Sequence, residues 1–104
     1  MDASAILAQS SSPTNTPSIA SSTTALAESK TRTSWTIQNL GMNPLFVRLG
    51  DSASSTVFHV VLKAGTGNDD GTGGIVGQST GAIYCGIITI AGTSPRYTVL
   101  EMHN

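Results

Sequence analysis

Ionised side chains are scarce in this chain. Of its 104 residues, 11% are charged, and five Lys or Arg against six Asp or Glu leave a net charge of −1. Soluble domains typically carry about 25% charged residues. Because neither sign is clustered, no stretch offers the basic surface that follows a nucleic-acid backbone, and nucleic acid is not an expected partner. So weakly charged a surface gives little protection against self-association, which suits a subunit of an assembly.

Cysteine pairs and long apolar runs are also missing. Cys85 is the only cysteine, so no intrachain disulfide can form, and we expect a small buried hydrophobic residue there. No stretch approaches the roughly 18 apolar residues of a membrane span. The four consecutive apolar residues near the start are too few for the core of a signal peptide. We therefore expect no membrane partner and synthesis in the cytosol.

Glycine is absent from the first 40 residues, and all eleven glycines lie between Gly41 and Gly92. The first thirty residues instead hold twelve Ser or Thr and two prolines. Such a segment has too little apolar surface to offset its ordering entropy. We therefore predict an extended N-terminal arm over residues 1–30 and one folded domain over residues 31–104. An arm of this kind orders against a neighbouring subunit, which we favour, or folds back on its own domain.

Beyond the arm, apolar residues alternate with the two-residue period of β-strands. The stretch "RTSWTIQNL", residues 32–40, places Trp35 and Ile37 on one face. After the turn residues "GMN", the stretch "LFVRLG", residues 45–50, places Leu45 and Val47 inward. Two such strands joined by a short glycine-containing turn predict a β-hairpin.

Three later stretches also have strand character, namely residues 56–65, 82–92 and 95–102. The first is predicted to put Phe58, Val60 and Leu62 on one face. The second is apolar on both faces, which is typical of a central strand covered on both sides. Short strands separated by Gly, Pro, Asn and Ser predict an all-β fold, a small antiparallel β-sandwich or barrel of jelly-roll type that follows the extended arm.

The stretch "GNDDGTGG", residues 67–74, is a candidate cation loop. It places Asn68, Asp70 and Thr72 at the first, third and fifth positions of a calcium loop. The twelfth position would be Ser79 rather than the bidentate Glu that such loops use. A phosphate-binding pattern is not matched either. We therefore interpret residues 65–79 as a long glycine-rich connection whose exposure suits an intersubunit contact.

The stretch "GQSTG", residues 77–81, formally matches the nucleophile elbow of serine hydrolases around Ser79. That motif requires a strand-to-helix turn, and here a β-rich segment follows. His59 and His103 lie at no metal-ligand spacing and are expected to be exposed. We predict no catalytic, cofactor-binding or metal site, and hence no enzyme.

Three other side chains are candidates for structural or binding roles. Trp35, the only tryptophan, is expected in the core rather than stacked on a ligand. Arg48 and Arg96 both project from predicted strands. They are expected to pair with Asp51 or Glu101, or with a partner protein.

Three motifs occur together in this chain: "WTIQNLGMNPLFVRLG", "FHVVLKAG" and "GIITIAGTSPRYTVLEM". In this combination the chain resembles small structural proteins of tailed bacteriophages over residues 35–102. The residues that carry the resemblance are Ile37, Asn39, Gly41, Asn43, Pro44, Leu45, Phe46, Val47, Arg48, Gly50, Lys63 to Gly65, and Ala91 to Tyr97. The resemblance implies a virion component.

We therefore expect a phage protein that is made in the host cytoplasm and binds the outer surface of the capsid as a cement or decoration subunit. Its partners would be the major capsid protein and further copies of itself, with the arm joining neighbours. Two alternatives stay open: a host-attachment or glycan-binding module of a fibre or tail, and a hydrolase that uses Ser79.

Overall fold

The computed structural model describes residues 9–10, 14–15 and 22–104. These residues form nine β-strands, and no helix occurs among them. The strands are β1 (Gln9–Ser10), β2 (Thr14–Asn15), β3 (Thr23–Leu26), β4 (Arg32–Asn39), β5 (Leu45–Arg48), β6 (Val60–Leu62), β7 (Ile75–Gln78), β8 (Ile88–Ala91) and β9 (Tyr97–His103). The all-β prediction is confirmed.

The strands form two antiparallel sheets. In the first sheet β4 lies between β7 and β9, and the other edge of β9 pairs with β1 and β2. In the second sheet the order is β3, β8, β5, β6. The longest pairing joins β4 to β9, with Ile37 opposite Val99 at its centre.

One apolar core lies between the two sheets. The first sheet contributes Trp35 and Ile37 from β4, as the alternation predicts, and Tyr97 and Val99 from β9. The second sheet contributes Leu26, Leu45, Val47, Leu62, Ile88 and Ile90. Because both sheets bury one face against the same core, the architecture is sandwich-like.

The predicted hairpin of β4 and β5 is wrong, because the two strands lie in different sheets. The chain crosses between the sheets at Asn39, whose side chain is buried. Its amide nitrogen donates to the carbonyl oxygens of Asn43 at 2.8 Å, Lys63 at 3.1 Å and Leu62 at 3.2 Å. Its Oδ1 accepts the Gly41 amide at 2.9 Å. These bonds fix a corner, and the inward residues of both strands then meet the same core from opposite sides.

The folded domain begins before residue 31, where the sequence boundary was predicted. Strand β3 pairs with β8, and Leu26 is buried in the core. Of the remaining arm, residues 9–10 and 14–15 pair with β9 of the same chain, which is the folded-back alternative for these four residues. Residues 1–8, 11–13 and 16–21 lie outside the described part of the chain, and so does the prediction that they reach a neighbouring subunit.

Three predicted segments differ in extent from the strands that form. Residues 75–78, predicted as part of a loop, are strand β7 at the edge of the first sheet. Residues 82–92 supply only the four-residue β8, which is buried throughout and central as predicted. Residues 56–65 supply only β6, and Phe58 does not share the face of Leu62, because the strand begins only at Val60 and the chain bends at His59.

Candidate functional site

A buried arginine organises the end of the sandwich where β4 begins and β9 ends. The side chain of Arg32 is fully shielded from solvent, and its Nε donates to Glu101 Oε2 at 2.6 Å. Its Nη atoms donate to the carbonyl oxygens of Ala27, Tyr84 and Gly86 at 2.6 to 3.1 Å. The guanidinium therefore joins β9 to the segment that follows β3 and to the loop that precedes β8.

A histidine extends this group of polar side chains. His103 Nε2 lies 2.9 Å from Glu101 Oε1, so one carboxylate contacts both His103 and Arg32. His103 Nδ1 lies 3.1 Å from the hydroxyl oxygens of both Ser29 and Thr31. We call these five residues the Arg32 cluster. It contains a hydroxyl, an imidazole and a carboxylate in line, which is the order of groups in a hydrolytic triad.

The hydrogen bonds around Ser29 favour a structural role for the Arg32 cluster. In acyl transfer the amide of the nucleophilic residue commonly stabilises the oxyanion, but the Ser29 amide donates to Cys85 O at 2.8 Å. The guanidinium donors are likewise bonded to Glu101 and to carbonyl oxygens. Thr31 competes with Ser29 for the same imidazole nitrogen. We therefore interpret the cluster as a clamp between β9 and the loop that precedes β4.

The structure does not bring Ser79 together with either of the two histidines considered in the sequence, His59 and His103. Ser79 is exposed directly after β7, and no helix follows it among residues 80–104. His59 is exposed, and its Nδ1 accepts the amide of Leu49 at 3.0 Å. His103 is half-buried rather than exposed, since it belongs to the Arg32 cluster. The nucleophile elbow around Ser79 therefore has no structural counterpart in the described residues.

The candidate cation loop is closed by its own hydrogen bonds. Asp70 Oδ1 accepts the amide of Thr72 at 3.0 Å and its hydroxyl at 2.6 Å, and Oδ2 accepts the Thr66 hydroxyl at 3.1 Å. These bonds lower the pKa of Asp70 from its ordinary value of 3.8, with the Thr72 hydroxyl as the largest cause. Across residues 22–104, no group of three His, Cys, Asp or Glu side chains is arranged to hold a metal ion.

An ion pair connects the loop of residues 67–74 to the residue directly before β9. Arg96 donates two hydrogen bonds to Asp69, from Nε to Oδ1 at 2.8 Å and from Nη2 to Oδ2. The hydrogen bond from Arg96 holds the pKa of Asp69 below 3.8. Arg96 was predicted to pair with Asp51, with Glu101 or with a partner protein; it pairs with Asp69 instead, and Glu101 pairs with Arg32.

Trp35 and Cys85 occupy different depths of the domain. Trp35 lies in the core as predicted, and its Nε1 donates to Gln78 Oε1 at 2.9 Å. Cys85 was predicted to be buried, but it is only half-buried, and its Sγ lies 3.5 Å from Ile83 O.

The outward side of the second sheet is apolar at its edge. Phe46 of β5 stands opposite Val61 of β6 in the ladder, and Val61 is 49% exposed. The ring of Phe58, itself 38% exposed, packs against Phe46 with a centroid separation of 5.0 Å and a tilt of 59°. We call Phe46, Phe58 and Val61 the apolar face. Such a contiguous exposed patch is typical of an interaction surface.

A groove of about 370 Å³ lies beside the apolar face. Its floor and walls include Pro44, Phe46, Ala53, Ala91 and Gly92, and serine and threonine side chains line its rim. A groove of this size and composition accepts one or two side chains of a partner. It is thus continuous with the apolar face through Phe46.

Neither the Arg32 cluster nor the apolar face was predicted from the sequence. The partners in the Arg32 cluster lie about seventy residues apart in sequence, for example Arg32 and Glu101, so no local spacing marks them. The apolar face had a detectable signal, because Phe46 and Val61 occupy the polar phase of two alternating strands. An apolar residue at a position where the alternation requires a polar one predicts that this side of the strand is either exposed or covered by a partner.

Comparison with known protein families, curated proteins and solved structures finds no match to this chain. Among the described residues, no helix is long and apolar enough to cross a membrane.

Proposed function

We propose that this chain is a structural protein of a phage virion, which binds the outer surface of the capsid as a cement or decoration subunit. The observation that carries the proposal is the apolar face, since Phe58 and Val61 remain exposed on an otherwise weakly charged surface. Exposed aromatic and aliphatic side chains that lie together mark a protein contact. The sequence resemblance to phage structural proteins supplies the kind of particle.

The fold suits such a role mechanically. The sandwich has a single core shared by two sheets and a buried polar clamp at one end, so it is a rigid body that can span a joint between capsid subunits. Many weak copies repeated over a lattice act with high avidity. The Ser/Thr-rich composition of the arm suits a segment that orders on contact with a neighbour.

Heads assembled with and without this protein test the proposal. Purified protein added to heads that lack it should co-sediment with them at a fixed stoichiometry, and the heads should then withstand heating or low ionic strength that otherwise breaks or expands them. Electron microscopy of treated heads measures the intact fraction. Failure of the protein to co-sediment, or binding without any gain in intact heads, would refute a cementing role.

A glycan-binding module has less support from the site. Sugar-binding sites commonly use exposed aromatic rings beside polar groups, but Trp35 and Tyr97 are buried in the core, and the exposed ring of Phe58 packs against Phe46. Tyr84 is half-buried, and its hydroxyl donates to Ile87 O at 3.1 Å. Binding to a glycan array with micromolar affinity would nevertheless favour that alternative over the capsid proposal.

A further inference from the structure

Two cations flank the apolar face. Arg48 lies two residues beyond Phe46 on β5, and Lys63 lies two residues beyond Val61, just past the end of β6. The two-residue period of a strand places both on the outward side. Because β5 and β6 are antiparallel, the two cations lie on opposite sides of the Phe46–Val61 pair, displaced from it along the strands.

Arg48 and Lys63 differ from the two remaining arginines of the domain, which form ion pairs. Arg32 is paired with Glu101, and Arg96 is paired with Asp69. Within the described part of the chain, no acidic side chain forms an ion pair with Arg48 or Lys63. The Arg48 guanidinium makes only a long hydrogen bond of 3.4 Å to Ser52 O. Their charges are therefore available to a partner.

The charge arrangement disfavours a second copy as the occupant of this face. In a two-fold contact the same patch faces itself, so parallel or antiparallel alignment of the strands of the two copies would bring each cation close to a cation of the other copy. Like charges brought together at an interface are costly. A surface with acidic residues around an apolar centre matches the patch in both charge and polarity.

We infer that the apolar face docks onto a different protein, whose surface presents an apolar side chain ringed by Asp or Glu. The apolar side chain enters the groove beside Phe46, and the acidic residues meet Arg48 and Lys63. This inference rests on the proposed function, in which that protein is the capsid protein. It adds which side of the sandwich meets the shell and the chemistry of the shell surface.

Binding of variants to heads assembled without this protein tests the inference. Val61→Ser removes apolar contact at the centre, and Lys63→Glu and Arg48→Glu reverse the flanking charges. Each change should raise Kd about tenfold or more, because Val61 lies at the centre of the face and each charge reversal places a like charge opposite an acidic residue of the partner. Binding of the unaltered protein should also weaken as salt is raised.

Matched controls separate the face from general surface effects. Ile75→Ser changes a residue that is 61% exposed on the other sheet, and Lys30→Glu reverses an exposed cation far from β5 and β6 in sequence. Both should bind as the unaltered protein does. Circular dichroism and thermal unfolding of each variant confirm that it is folded.

The outcomes distinguish the inference from the proposed function. If the unaltered protein does not bind heads, the capsid proposal and this inference both fail. If it binds and the face variants bind equally well, or the two controls lose binding instead, only the inference fails. Sedimentation equilibrium adds one outcome: a dimer of the unaltered protein that Val61→Ser converts to a monomer would show a self-contact and overturn the inference.

Discussion

At the scale of single residues, the domain depends on a few polar groups placed where only apolar ones would be expected. Arg32 has its charged side chain wholly removed from water. A buried charge is tolerated when it is paired and its remaining donors are bonded. Here a carboxylate and three carbonyl oxygens accept from the guanidinium, so the desolvation cost is offset.

Loss of the Arg32 side chain should be severe. In Arg32→Met the Glu101 carboxylate loses its guanidinium partner in a largely buried position, and we expect a loss of about 3–5 kcal/mol in the free energy of unfolding. Urea titration followed by tryptophan fluorescence measures it. Lys30→Met removes a neighbouring exposed cation and should change stability by less than about 0.5 kcal/mol. Equal effects of the two changes would contradict the clamp.

Two exposed carboxylates should titrate at low pH. The pKa values of Asp69 and Asp70 are both lowered from 3.8, by bonds to Arg96 and Thr72 respectively. A carboxyl whose pKa is depressed on folding stabilises the folded loop above its unfolded pKa, and that contribution is lost as pH falls through the lower folded value. The loop should therefore keep its hydrogen bonds at pH 4 and lose them in stronger acid.

Carboxyl NMR shifts followed against pH check this directly. Both midpoints should lie below 3.8 in the folded protein. Arg96→Met should move the midpoint of Asp69 upward, because its strongest hydrogen-bond donor is removed, and should leave the bonds from Thr72 to Asp70 in place. An Asp69 midpoint that does not move in this variant would show that the ion pair is not formed in solution.

At the scale of elements, the corner at Asn39 decides how the chain is shared between the sheets. Its amide reaches the end of β6 and the turn before β5, while its oxygen holds Gly41. The hydrogen bonds of this one side chain thus hold the connection between β4 and β5, in place of the backbone hydrogen bonds that a hairpin would have formed. The residues of β4 and β5 that were predicted to point inward do so, and only the predicted pairing of these two strands is wrong.

Replacement of the Asn39 amide by a carboxylate tests the corner. Asn39→Asp has nearly the same shape, but at neutral pH it turns a charged oxygen toward the carbonyl oxygens that the amide now serves. We expect a loss of about 2 kcal/mol or more in the free energy of unfolding, because buried groups lose their partners. Asn43→Asp, the same change at an exposed site, is the control. Thermal unfolding at pH 7 measures both, and indistinguishable midpoints would refute the corner.

The strands with strict alternation could be predicted from sequence, while the pairing between them could not. Trp35 and Ile37 of β4 and Tyr97 and Val99 of β9 have the period that a half-buried strand requires. Strand β7 was missed because glycines surround it, and its Ile75 is exposed, so apolar residues there give no inward pattern.

The candidate sites were less predictable, because they depend on distant partners. The Arg32 cluster needs β9 beside β4, which no motif encodes. The loop of residues 67–74 was correctly interpreted as a connection, but the pairing of its Asp69 with Arg96 depends on the fold. Physical periodicity identifies faces, and only tertiary structure brings the polar groups together.

At the scale of the whole molecule, the two sheets share one core and have no separate interiors. Neither sheet buries its apolar side without the other, since residues such as Ile37 and Ile90 lie in the same cluster. Single domains of this size with one core unfold as one cooperative unit. The crossover at Asn39 and the clamp at Arg32 connect the sheets at separate places.

Unfolding should therefore be two-state. Trp35 fluorescence reports the first sheet, and far-ultraviolet circular dichroism reports strands of both sheets, so the two transitions should coincide in urea. A separate earlier transition in one signal would show that the sheets unfold independently. Hydrogen exchange resolved by residue would then identify the sheet that opens first.

The position of β9 has a consequence for how the protein is made. This strand, formed by Tyr97–His103, lies inside the first sheet and supplies Glu101 to the buried arginine. Until the ribosome has released these residues, β4 lacks one of its two neighbours in the sheet, and Tyr97 and Val99 are missing from the core cluster that contains Trp35. Fragments that stop short of β9 therefore expose apolar strand faces, and they are expected to aggregate or to require chaperones.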